Sequence, residues 1–456
     1  MTLHITRLTQ DPRYLEAKRL LTAALADAKK EITHVQKGHE SLKAGYQALL
    51  EEYATFRGGP LFYPYLGSGI GNGALVELLD GSIKYDMISG IGAAFFGHSH
   101  EEIAMQAVDA AMTNCVMQGN LQQNDDSLTL SRLLCSTSGL DHCFLSSSGA
   151  MACENSCKIC FQKAYPATRI LAFENGFSGR TCLLSQISDK PQNRQGIPAA
   201  YHVDFIPFFD SNNPHASTEN TLTTLKKLIK RYPGQHAFMC MELILGEGGS
   251  WVGSEHFFKE IISVLKENNI LVWVDEVQTF LRTSQPFAFQ HFHLDGLVDT
   301  VTVGKSLQAC ATLFTEAVRP QPGLLSQTFT ASTSAIKTGT KIVEHALQAG
   351  FFGPNGKIMQ LDSALHKAFS RLNTRFGDAV LSGPYGLGGM AACTLFQGDF
   401  TKTKEFLIKL FENGVIAFIA GKNPARVRFL PPIGAFDLAD IDPVIEIFEH
   451  TIRQSL

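Results

Sequence analysis

Residues 271–278 read LVWVDEVQ. Four apolar residues lead without interruption to Asp275 and Glu276, the pattern of a strand buried on both faces. Runs of the same kind recur at RILAF (169–173), AFMCMELI (237–244) and TVTVGKS (300–306), with helical spacing between them. Strands alternating with helices predict a largely parallel sheet covered by helices on both sides. In such a sheet ligands gather at the carboxyl ends of the strands, where Asp275 and Glu276 arrive. A carboxylate buried there is costly unless a cation meets it. A helix N-cap or a surface salt bridge would also account for Asp275.

Lys305 follows the next strand, between Gly304 and Ser306. Alone it reads as well as an exposed loop residue. Its neighbours VGKS (303–306) resemble the end of a phosphate-binding P-loop, but that motif needs a glycine at position 299, which is Asp. Paired with Asp275, Lys305 suggests pyridoxal phosphate. That cofactor needs an amine for its Schiff base and a carboxylate to keep its pyridine nitrogen protonated. FLSSSGAMACENS (144–156) offers the third requirement, a place for the phosphate. An apolar run passes through small polar residues into a helix, whose first N–H groups, at Gly149 and Ala150, are free to meet a dianion. A serine-rich loop that merely caps a helix has the same appearance.

The same helix carries Cys153, Cys157 and Cys160, the C-x₃-C-x₂-C spacing with which radical enzymes hold a [4Fe–4S] cluster. On a helix these positions fall within about 60° of one another, one narrow face suited to lying close on a sheet. A cluster motif would want a loop that lets the thiolates converge, and its usual aromatic before the last cysteine is Ile159 here. We read the three as packing residues.

With 456 residues, 45% of them hydrophobic and 18% charged, the chain is long enough for more than one lobe. A formal net charge of −4 gives no electrostatic reason to expect nucleic acid. No run of 18 apolar residues suggests a membrane span, and the first residues lack the pattern of a secretory signal. Ten cysteines without such a signal point to free thiols and a cytoplasmic location. From about Tyr14 to Phe56 the spacing is helical, ended by RGGP at 57–60. GALVELLDGSIKYD (73–86) reads as a β-hairpin about Asp80-Gly81. Towards the end, TKEFLIKLFENG (403–414) reads as a helix, and VIAFIA and ARVRFLPPI as strands.

In sequence order, SSSGAMACEN, NGFSGRT, ELILGEGGS, DEVQTFLRT, TVGKSLQAC, QTFTAS and RFLPPI resemble the class III, fold-type-I, pyridoxal-phosphate-dependent aminotransferases. The resemblance runs from about residue 69 to 442. It implies a large domain with a mainly parallel seven-stranded sheet (91–345) and a smaller α+β domain from 61–90 and 346–456, behind an N-terminal helical segment (1–60). By resemblance, Lys305 carries the cofactor and shuttles the substrate proton, Asp275 pairs with the pyridinium, and Gln278 sits near the phenolic oxygen. Phe177 stacks on the ring, and Gly149 and Ala150 bind phosphate. Thr328 reaches the phosphate of a neighbouring subunit, which implies an obligate homodimer. Arg428 grips a substrate carboxylate, Glu242 pairs with that arginine when the carboxylate is absent, and Arg180 is a second carboxylate candidate. The implied reaction is ping-pong transfer from an ω-amino donor to a 2-oxo acid such as 2-oxoglutarate. An aminomutase, racemase or decarboxylase of the same fold, or a non-catalytic binding homologue, stays open. The chain departs from the family pattern at Ser178, where a histidine is usual, and at Met151, where a glutamate is. Phe280 and Leu281 replace small residues and are expected to place bulk near the substrate mouth.

Overall fold

The computed structural model describes residues 2–113, 117–348 and 350–456. The LVWVDEVQ stretch becomes the central strand of the largest sheet. In chain order its seven strands are β1 (His142–Ser146), β2 (Arg169–Phe173), β3 (Val203–Ile206), β4 (His236–Met241), β5 (Leu271–Glu276), β6 (Thr300–Val303) and β7 (Cys310–Phe314). They lie in the order β1-β7-β6-β5-β4-β2-β3. β5 runs parallel to β4 and β6, and β2 to β3 and β4. Only β7 is reversed, against β1 and β6. Val272, Trp273 and Val274 have no exposed surface, which is why this strand is apolar without alternation.

Helix α4 (Gly149–Ala164) lies on the sheet with Cys153, Cys157 and Cys160 buried among Ile170, Phe238 and Trp273. Thiols are small enough to let helix and sheet approach closely.

The N-terminal region is not one helical run. Helices α1 (Pro12–Ala28) and α2 (Glu40–Arg57) are separated by an extended passage in which Gln36 bridges Ile83, each N–H donating to the other's carbonyl at 3.0 Å. Ile32 is buried on the way. Tertiary pairing with the hairpin overrides the helical spacing there. α1 docks on α3 (Glu101–Ala111) through Lys18 and Tyr14, both bonded to Asp109.

The hairpin pairs Leu75–Leu78 with Ile83–Asp86, and the latter strand also takes Val415–Ile416 alongside in parallel. VIAFIA therefore forms two short strands. Its second, Phe418–Ala420, joins an antiparallel sheet with Arg426–Phe429, Met390–Leu395 and Leu381–Leu387. This places Arg428 opposite Phe418 on one side and Ala392 on the other.

Candidate active site

Asp275 lies one residue before the end of β5, paired with Thr302 on β6. Its Oδ1 accepts from the Val277 N–H at 3.0 Å and from Thr302 Oγ1 at 3.2 Å, and Trp273 Nε1 donates to that hydroxyl at 3.1 Å. Its Oδ2 accepts from the Cys153 thiol at 3.5 Å. Burial pushes the carboxyl above its ordinary range, opposed by these donors and by Lys305. The packing face of α4 thus also touches the site, a role that spacing alone did not show.

Lys305 opens a tight turn directly after β6, with φ +45°, and lines the same cavity as Asp275. Burial pushes its amine down to about 8; Glu247 and Asp275 pull the other way, and Arg428 adds to the depression. An amine so shifted is partly neutral near pH 8 and can act as a nucleophile.

The start of α4 forms another wall. Ser148 caps it, its Oγ accepting from the Met151 N–H at 3.2 Å, which leaves the Gly149 and Ala150 N–H groups at the cavity. A Cβ at Gly149 would lie 2.9 Å from Val277 Cγ1, so only glycine fits this approach of helix to strand end. Phe177 lines the cavity, and its N–H donates to Glu242 Oε1 at 2.7 Å. Burial, followed by the nearby Asp275, pushes Glu242 up to about 8.

Arg428 borders the cavity through Gln278, whose Oε1 accepts from Nη1 at 3.0 Å. Its partner differs from the one expected. Nη2 donates to Glu247 Oε1 at 2.7 Å, whereas Glu242 accepts from the backbone of Phe177 and Gly246. The physical reason is the one-turn helix Gly246–Gly249, which carries Glu247 to the strand of Arg428, while Glu242 stays against the loop of Phe177. Burial raises Glu247, but Arg428, Lys305 and Lys190 outweigh it and hold the carboxyl below its ordinary range.

Other candidates fall elsewhere. Arg180 is exposed, 6.0 Å from the Phe177 ring centroid. Thr328 is exposed beside Gly119, outside the cavity of its own chain. Phe280 and Leu281 do not crowd the mouth: both have no exposed surface, and Phe280 packs 4.9 Å from Phe287. Apolar side chains at that turn are drawn into the core instead. Ser178 is buried at the cavity wall, its Oγ 3.1 Å from Cys240 Sγ.

These residues fit pyridoxal phosphate: a lysine amine of lowered basicity, a buried carboxylate whose Oδ2 meets only a thiol among the described residues, and a helix start shaped by glycine. The sequence profile described as aminotransferase class-III matches residues 69–452. The chain belongs to the class-III aminotransferases. It is a pyridoxal-phosphate-dependent transaminase, which takes an amino donor and a 2-oxo acid. Among the reactions left open by sequence, family membership selects amino transfer.

Relatives include an acetylornithine aminotransferase of Prochlorococcus marinus, 26% identical over 382 residues, covering 80% of this chain and 86% of that one. A probable 4-aminobutyrate aminotransferase of Bacillus subtilis is 27% identical, covering 80% of this chain and 87% of that one. Among solved structures, the lysine aminotransferase of M. tuberculosis in its internal aldimine form superposes with a TM-score of 0.79 at 22% identity, covering 89% of this chain and all of that one. The fold expected from the sequence is the fold found.

Proposed function

We propose that this aminotransferase works as a homodimer on the terminal amino group of a basic amino acid, an acylated derivative of one, or a diamine. The acceptor is a 2-oxo acid, 2-oxoglutarate above all, and the two substrates use one site in turn. The observation that carries this reading is the Arg428–Glu247 pair at 2.7 Å beside Lys305. An acceptor carboxylate displaces Glu247 from Arg428 and takes its place in the guanidinium fork. A donor that presents a terminal amine has no carboxylate near the reacting carbon, and Glu247 then returns to neutralise the arginine. The relatives named for acetylornithine and 4-aminobutyrate support that choice of donor.

Bound pyridoxal phosphate supplies an electron sink for the substrate carbon. The chain supplies the rest. Asp275, its charge steadied by Val277, Thr302 and Cys153, would hold the proton on the ring nitrogen. Gly149, Ala150, Phe177 and Gln278 line the same cavity, where the two helix-start N–H groups would hold the phosphate, Phe177 would lie against the ring and Gln278 would meet its phenolic oxygen. Lys305, its amine depressed to about 8, would hold the cofactor and move the proton to and from the substrate carbon. Thr328, exposed and outside its own chain's cavity, is suited to a phosphate in a second copy. A reducing cytoplasm suits the free cysteines, three of which pack α4 on the sheet.

The experiment is a donor screen against 2-oxoglutarate, read as glutamate formed. Ornithine, N-acetylornithine, lysine, 4-aminobutyrate and short diamines should include the best donor. Glutamate formed only from α-amines such as alanine would overturn the assignment.

A further inference from the structure

Arg426 and Arg428 lie two residues apart on the strand Arg426–Phe429, so their side chains share one face. Arg426 is 1% exposed, and its guanidinium is held between two rings, 3.4 Å from the Tyr385 centroid and 3.9 Å from that of Trp251. Aromatic faces offset part of the cost of burying a cation. Nη1 donates to the Gly249 carbonyl at 2.5 Å, and Nε has no acceptor among the described residues. Gly249 closes the one-turn helix Gly246–Gly249 that carries Glu247, and Trp251 begins the short strand after it. The same turn is held from another side, where the Gly421 N–H donates to the Glu247 carbonyl at 3.0 Å. Arg426 therefore joins the element that bears Glu247 to the strand that bears Arg428.

We infer that Arg426 is a positioning residue for the substrate carboxylate: gripped by Trp251 and Tyr385 and bonded to Gly249, it keeps the Glu247 turn in register with Arg428. The inference rests on the reading of Arg428 as the carboxylate-binding residue. It needs no contact between Arg426 and substrate.

Two aminooxy reagents test it on the holoenzyme, whatever the natural donor. Aminooxyacetate and methoxyamine share the group that captures the cofactor as an oxime and releases the Lys305 amine, but only the first has a carboxylate. The ratio of their second-order capture rates, followed by cofactor absorbance, reads the carboxylate grip. Arg426→Gln should lower this ratio at least tenfold and change the methoxyamine rate less than twofold. Arg428→Gln should lower it at least as far. Tyr385→Leu, which leaves Arg426 in place, should lower it at least threefold and serves if Arg426→Gln fails to fold. A wild-type ratio in Arg426→Gln or Tyr385→Leu, with a lowered one in Arg428→Gln, overturns the inference alone. A wild-type ratio in Arg428→Gln overturns the reading beneath it as well.

Discussion

Arg428 commits both terminal nitrogens inside the protein, to Glu247 at 2.7 Å and to Gln278 at 3.0 Å, while its Nε has no acceptor among the described residues. The guanidinium has no exposed surface, and on the reading proposed above a substrate carboxylate takes the place of a group already bound to its terminal nitrogens. Glu247 is the competitor, since both are carboxylates and Gln278 is neutral. Glu247→Gln keeps the size and one acceptor but removes the charge. Losing about 1 kcal/mol of competition corresponds to about fivefold in affinity. The KM for the 2-oxo acid should therefore fall by about three- to tenfold, measured with saturating donor. A KM that rises or stays put would show that Glu247 does not compete with the acceptor.

Lys305 makes a pH-dependent prediction. Only the neutral amine forms a Schiff base. Burial holds this amine near 8 in the chain without cofactor, against an ordinary lysine near about 10.4. The folded value is depressed, so the competent form grows as pH rises through about 8. The rate at which the apoenzyme captures pyridoxal phosphate, followed by absorbance, should climb to a plateau above that pH. A midpoint above 10 contradicts the depressed amine. Lys305→Ala should lose the absorbance of the lysine-bound cofactor and at least about 10³-fold in turnover.

Much of this was legible in LVWVDEVQ, because a strand buried on both faces leaves a continuous apolar run that ends where the sheet's ligands sit. Glu247 was not. ELILGEGGS holds two glutamates five residues apart, and nothing local says which of them the Gly246–Gly249 turn aims at Arg428, 181 residues further on. The direction of Phe280 and Leu281 was hidden for a related reason: a residue type gives bulk, and the packing around it decides where that bulk goes. Cys153 read as packing and is packed, yet one of its contacts is Asp275. The break between α1 and α2 depends on Ile83, reached only through the tertiary fold.

Thr302 gives a prediction about acid pH. Its hydroxyl donates to Asp275 Oδ1 at 3.2 Å and so favours the charged carboxylate. Burial already raises Asp275, and removal of a donor raises it further. A carboxylate whose folded value rises is protonated at a higher pH, so the acid limb of activity must move upward. Thr302→Val should shift the acid limb of kcat/KM to higher pH by about half a unit to one unit, for a lost bond of about 1 kcal/mol. Thr302→Ser, which keeps the hydroxyl, should restore the wild-type limb. A pH profile unchanged in Thr302→Val would mean that Val277, Cys153 and Lys305 hold the charge without Thr302.

Arg282 tests what holds three distant segments together beside the site. It has no exposed surface, and it donates from Nη1 to the carbonyls of Gly389 and Pro431 at 3.0 and 3.1 Å and from Nη2 to that of Gly92 at 3.1 Å. Burial pushes it down to about 9, with Arg428 adding to the shift. Three distant segments thus converge on one side chain. Arg282→Met fills most of the volume and takes the side-chain donor from the buried carbonyls of Gly389 and Pro431, at about 1–3 kcal/mol each, while the Gly92 carbonyl keeps the Ser306 hydroxyl at 3.0 Å. Denaturant titration of the apoenzyme should show a loss of at least about 2 kcal/mol for Arg282→Met. Arg282→Lys, which keeps the charge and has donors for some of the carbonyls, should lose roughly half as much. A loss below about 1 kcal/mol in Arg282→Met would mean that water or a shifted backbone satisfies those carbonyls, and the convergence would then have no energetic weight.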